Sequence, residues 1–287
     1  MIGEPAHPIL MSTGIFRIPL SQAGCADFRE ASLTMFRHEP SIERALSGID
    51  IGFRCPADVF SLALSDESVA FCRRFPSNTC HFPYEYEISD TPTTWELIRA
   101  LSDLIHRLNI RHTVFHPQCI IDMDFLWSAW QGLDNGAIHL ENWMRDDVVP
   151  RARFESLLIN DHIGIVLDSS HAALSSYARS GYPFSYFLPR FEERIQFVHL
   201  SGIRTVPPYR DPEEPAIFRF CTSHHFMHTL ERKDSAYFEP VWILLARKPS
   251  VGIIFEQTAS SLEDFPLAIE REIAYVRARL RDSRHGG

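Results

Sequence analysis

The chain has 287 residues, 45% hydrophobic and 23% charged, an ordinary globular composition that excludes a disordered, fibrous or coiled-coil protein. Its 28 Lys and Arg stand against 37 Asp and Glu, a net charge of −9, which argues against a broad basic face for nucleic acid. No apolar run reaches the roughly 18 residues a spanning helix needs, the first residues lack the order of a secretory signal, and none of the six cysteines falls in a C-x-x-C pair, so a cytoplasmic protein without nucleic acid or membrane partners is expected.

In chain order, eight short runs read as strands: Ile9–Phe16, Ile49–Phe53, Thr79–Phe82, Thr113–His116, Ala137–Glu141, Gly164–Asp168, Gln196–His199 and Gly252–Glu256. Several are apolar up to their last residue, as strands covered on both faces must be. Between them lie amphipathic stretches. Thr93–Leu108 places Trp95, Ile98, Leu101, Leu104 and Ile105 on one helical stripe, and Pro150–Asn160 and Leu262–Leu280 read the same way. The Trp127–Trp130 stretch reads as helix packing. The gap from His199 to Gly252 is longer. It holds the proline-rich run Val206–Pro215 and a helix expected at His225–Lys248. Strands recurring every 25 to 40 residues, with helices between, predict one domain over 1–287, a single (β/α)8 TIM barrel with an elaborated loop after strand seven. An open doubly wound sheet would carry a glycine-rich phosphate loop after its first strand, and only Gly14 stands there.

In such a barrel, chemistry sits at the carboxyl ends of the strands. Strand three ends at His81, strand four at His116, strand five at Glu141, strand six at Asp168 with His171 three residues on, strand seven at His199 and strand eight at Glu256. The seventh loop adds His224 and His225. Imidazole and carboxylate are ligands for zinc, iron and manganese, and isolated buried charges are costly unless paired or metal-bound. The pattern therefore predicts a metal centre, with Glu141 placed to bridge two ions. His112 and His139 are read as structural, out of register with His116 and Glu141. His106, His162 and His228 are read as solvent-exposed, and the cysteines as core. Val206–Pro215 is expected to gate the pocket or touch a larger substrate, with Arg204 and Arg210 as surface charges.

The segments H-F-P-Y, V-F-H-P, H-L-E-N, L-D-S-S-H, V-H-L-S-G and I-F-E-Q together resemble the xylose isomerase-like barrel superfamily from about residue 49 to 256. Its epimerase branch is similar at Glu141, Asp168, His199 and Glu256, which implies one metal with Glu141 and Glu256 as the acid/base pair. That branch does not account for His81 and His116, and Thr205 stands where its substrate arginine is expected. The endonuclease IV-like branch uses both extra histidines, His171 and an Asp-x-His in the seventh loop. Here that last motif reads Ser223-His224-His225. The multinuclear non-haem iron oxidases are similar at His81, His116, Glu141, Asp168, His199 and Glu256 and in the run His199-Leu200-Ser201-Gly202, although they carry asparagine where this chain has His171.

The resemblance to the iron oxidases leads the functional expectations: an oxidoreductase using O2 with two or three divalent ions, iron favoured over zinc or manganese. His81, His116, Glu141, Asp168, His171, His199, His225 and Glu256 would be the ligands. The substrate would be a small molecule or a peptide, a peptide calling for a peptide-recruiting protein partner. A one-metal sugar isomerase or epimerase and a phosphodiester hydrolase are the alternatives.

Overall fold

In the computed structural model, which describes residues 7–143, 148–178, 181–205, 221–226, 238–256, 262 and 266–285, ten strands form. They are β1 (Ile9–Ser12), β2 (Gly48–Ile51), β3 (Asn78–His81), β4 (Ile110–Phe115), β5 (Ala137–Glu141), β6 (Gly164–Asp168), β7 (Ile195–Leu200), β8 (Gly202–Thr205), β9 (Cys221–Phe226) and β10 (Gly252–Phe255). Eight of them close a barrel in the order β1-β10-β7-β6-β5-β4-β3-β2. Every neighbouring pair in it is parallel. With helices between the strands, this is a (β/α)8 barrel. Among the described residues, no helix is long and apolar enough to cross a membrane.

Helices form where caps and apolar stripes coincide. Pro92–Leu108 begins at Thr91, whose side chain accepts from Thr94 N, has proline in its first turn, and ends at Asn109 in the left-handed conformation (φ 54°). It buries Leu97, Ile98, Leu101, Leu104, Ile105 and Leu108, while Trp95 is half-buried against Phe125. Trp130 is fully buried in the helix Met123–Gly132 and packs on Phe115.

Side chains alternate in and out along each strand, and this period of two stacks the barrel interior in layers. Leu10, Val114, Val166, Phe197 and Ile254 form a separate apolar cluster. Two residues further along β4, β6, β7 and β10 come His116, Asp168, His199 and Glu256, so the apolar layer is the floor beneath the polar strand ends. The larger core lies between strands and helices.

Several predicted boundaries move. The first strand stops at Ser12, whose hydroxyl accepts from Gly14 N and starts a 3-10 turn over Thr13–Phe16. The helix expected at His225–Lys248 is shorter, Glu239–Arg247, and His225 belongs instead to β9, which pairs antiparallel with β8. Pro240 in the first turn suits the helix start at Glu239. The helix expected from Leu262 runs over Leu267–His285, because Pro266 disfavours helix at the residue before it. Residues 206–220, with Arg210 and the expected loop Val206–Pro215, lie outside the described residues, as does His228.

Candidate metal centre

The sequence-predicted strand ends meet. His81 ends β3, and Glu141 ends β5. His116 follows β4, where Pro117 stops the strand and His116 caps the short turn Pro117–Cys119. Asp168 ends β6, and its backbone neighbour in β7 is His199. Glu256 follows β10 directly. His171 sits in the helix Ser169–Ala178 that β6 leads into. The described strands also bring Asp50 of β2 to this centre. His225 lies in β9, but its side chain is outside the described residues.

Three sets of side chains each place their ligand atoms within 4.8 Å of one another: His81, His116 and Glu141; His81, His199 and Glu256; Glu141, Asp168 and His171. Glu141 is the hub. Its Oε2 lies 3.6 Å from His116 Nε2, 3.5 Å from His199 Nδ1 and 3.9 Å from His81 Nδ1, and its Oε1 lies 3.4 Å from His171 Nδ1. The rings of His81 and His199 stack at 4.8 Å between centroids.

Neighbouring groups fix these side chains. Asp168 Oδ1 accepts from Ser170 Oγ (2.7 Å) and from His171 N (2.8 Å), which turns Oδ2 toward the centre. Asn142 Oδ1 accepts from Asp168 N (2.6 Å) and Asn142 Nδ2 donates to Asp168 O (3.2 Å), tying β5 to β6. His171 Nδ1 lies 3.0 Å from the Asn142 carbonyl, which holds the ring against the end of β5. Ser169 Oγ accepts from Ser201 N (3.3 Å), tying the end of β6 to the end of β7. Above the centre, Tyr84 lies on His116, and Trp143 packs edge-on against both His116 and His171.

These residues fit a cation. His116 Nδ1, Glu141 Oε2 and His199 Nε2 are buried and have no hydrogen-bond partner among the described residues. A buried polar atom left unpaired costs about 1–3 kcal/mol, and a metal ion satisfies several such atoms at once. Burial pushes the pKa of His81 down, and that of His116 well down. Burial, with the carboxylates of Glu256, Asp168 and Asp50 adding to it, pushes Glu141 well above the usual carboxylate range. Burial also works to lower His199, but Glu256, Glu141 and Asp168 outweigh it and hold its pKa at about 10. A proton on His199 thus carries the positive charge these carboxylates demand, and a divalent ion supplies that charge in its place.

Two readings of the sequence need correction. His112 and His139 are not out of register with His116 and Glu141: positions 112 and 116, and 139 and 141, differ by even numbers and share a face. Both lie deeper in the barrel, where His112 Nδ1 and His139 Nε2 hydrogen-bond at 3.0 Å against Phe197. Asp50 went unnoticed because it stands inside the expected strand Ile49–Phe53. Counted in twos from the expected end Phe53 it falls on the opposite face, and only the observed end of β2 at Ile51 places it near the strand tip. His106 and His162 are exposed as expected, and Cys72, Cys80 and Cys119 are buried.

Among solved structures, the chain is similar to endonuclease IV from Thermus thermophilus, with a TM-score of 0.57, 13% identity and coverage of 96% of this chain and 99% of that one. It is similar to a xylose isomerase-like TIM barrel protein from Mycobacterium smegmatis in complex with magnesium, with a TM-score of 0.52, 13% identity and coverage of 97% and 98%. AP endonuclease, family 2, from Brucella melitensis aligns with a TM-score of 0.51, 10% identity and coverage of 93% and 98%. No protein-family model and no curated protein matches the chain. At these identities the likeness is one of fold alone, a TIM barrel.

Proposed function

We propose that the protein is a multinuclear metal-dependent hydrolase acting on a phosphoester in a small-molecule substrate. The observation that carries this reading is the position of His171, buried and 3.4 Å from Glu141 within a third ligand set. A one-metal epimerase has no use for His81, His116 and His171, whereas the endonuclease IV-like pattern uses all three. The fold likeness to endonuclease IV supports the same branch. The net charge of −9 favours a small substrate over a nucleic acid.

His81, His116 and Glu141 would hold one divalent ion and Glu141, Asp168, His199 and Glu256 a second, with His171 beside them. Bound there, such ions supply Lewis-acid stabilisation of phosphoryl charge and ease the ionisation of water. Glu256, with 30% of its side chain exposed, is the carboxylate able to pass protons between the centre and solvent. Buried Glu141 would hold the two halves of the centre in register, and Trp143 and Tyr84 pack against its histidines.

The test is hydrolysis of a chromogenic phosphodiester by protein loaded with zinc or manganese. Activity lost on chelation and in His171→Asn supports the proposal. Sugar epimerisation with one bound ion, retained in His81→Ala, overturns it in favour of the isomerase. One feature favours a second reading, an oxidoreductase using O2 and iron: the run His199-Leu200-Ser201-Gly202, where β7 passes into β8. O2 consumption by the iron-loaded protein, without hydrolysis, would select it.

A further inference from the structure

Asp50 is 1% exposed. Its backbone pairs with Thr79 in the β2–β3 register, and Thr79 Oγ1 donates to Asp50 Oδ1 at 2.7 Å. Asn78 Oδ1 accepts from Ile49 N, while Asn78 Nδ2 donates to the carbonyls of Cys72 and Leu108, so the pair of strands is held firmly. Asp50 Oδ1 lies 3.8 Å from His81 Nε2, and His81 Nδ1 lies 3.9 Å from Glu141 Oε2 on the other side of the ring. Asp50 Oδ2 and His81 Nε2 are both buried without a hydrogen-bond partner among the described residues. A buried carboxylate beside an imidazole that faces a second carboxylate is the arrangement that fixes a metal-ligating histidine: the carboxylate takes the N–H, and the opposite nitrogen binds the ion.

We infer that Asp50, anchored by Thr79, is a positioning residue for the metal centre, holding His81 with Nε2–H toward Asp50 and Nδ1 toward the ion shared with Glu141. The inference rests on the metal-centre part of the proposed function and not on the reaction assigned to it. Two atoms 3.8 Å apart come into hydrogen-bond range through a small rotation of the ring or one bridging water. As a negative acceptor, Asp50 also makes His81 the stronger donor to the ion.

The test uses the full chain and Co2+ alone, read by calorimetry and by the visible ligand-field bands, with no substrate. Asp50→Ala is expected to weaken the site that contains His81 by about 10- to 100-fold and to change its bands. Thr79→Val, which keeps the carboxylate and removes its anchor, and Asp50→Asn, which keeps an acceptor and removes its charge, are expected to cause smaller shifts in the same direction with the full number of ions bound. Thermal melts show which variants fold. If Asp50→Ala does not fold, the other two decide. Wild-type affinity and bands in every folded variant overturn the inference. So does loss of a whole ion in Asp50→Asn, which makes Asp50 a ligand. A wild-type chain that binds no Co2+ overturns the metal centre itself.

Discussion

His199 Nδ1 lies 3.1 Å from Glu256 Oε2, inside the barrel mouth and against the carboxylate of Glu141. With the folded pKa of His199 held near 10 against an ordinary 6.5, its charged form stabilises the metal-free fold fully below about pH 6.5. That contribution is lost as pH rises through about 10. The melting midpoint of metal-free wild type should therefore fall between pH 7 and 10 more steeply than that of His199→Asn. Metal binding near neutral pH must displace this proton. Calorimetry in buffers of different ionisation enthalpy should find about one proton released through His199, and a release unchanged in His199→Asn would contradict the assignment.

Because Glu141 belongs to two ligand sets and His116 to one, their removal should differ in kind. His116→Ala should lower the bound metal by one ion's worth and leave the Glu141, Asp168 and His171 set intact. Glu141→Gln should weaken both ions and abolish turnover. Metal content after equilibrium dialysis checks this. Equal stoichiometry in the two variants would show that Glu141 is not shared.

A ligand that binds the folded chain alone stabilises it by mass action. Free metal at about 100 times its dissociation constant adds about 2.7 kcal/mol per site, equivalent to a midpoint shift of about 5–10 °C for a domain somewhat smaller than this one. Thermal melts with zinc and with chelator should differ on that scale. Identical melts would mean that the buried imidazoles find their partners elsewhere.

The barrel was legible because burial on both faces makes parallel strands continuously apolar, so the polar residue that ends each run stands out. His81, Glu141 and Asp168 fall at the strand ends, and His116 and Glu256 one residue beyond. Asp50 was not, because its strand offers no long apolar run to frame it. The β8–β9 pair was hidden for a different reason: its pairing joins Gly202 to Phe226, a partnership that no local periodicity encodes. The structural role read for His112 and His139 holds, but the counting behind it does not, since parity along a strand places them in the barrel beneath the centre.

That buried pair leads to the last prediction. Burial pushes the pKa of His112 down to about 4 and that of His139 to about 3, with Arg111 adding to the first and His112 to the second. Both rings are therefore neutral in the folded chain, and stability should fall as pH drops below about 6.5, where the unfolded chain takes up protons the folded one refuses. The pair exists because β6 opens with Gly164, directly beside His139 in the β5–β6 register. A Cβ at position 164 would run into His139 Nδ1 and Cε1. Gly164→Ala should then cost about 1–3 kcal/mol through overpacking. Replacing His139 by Ala removes the obstacle, so the double variant should be less destabilised than the sum of the single ones, by about 0.5–3 kcal/mol of coupling. Denaturant melts of the four proteins measure this directly. Additive losses would place the strain at Gly164 somewhere other than the His139 ring.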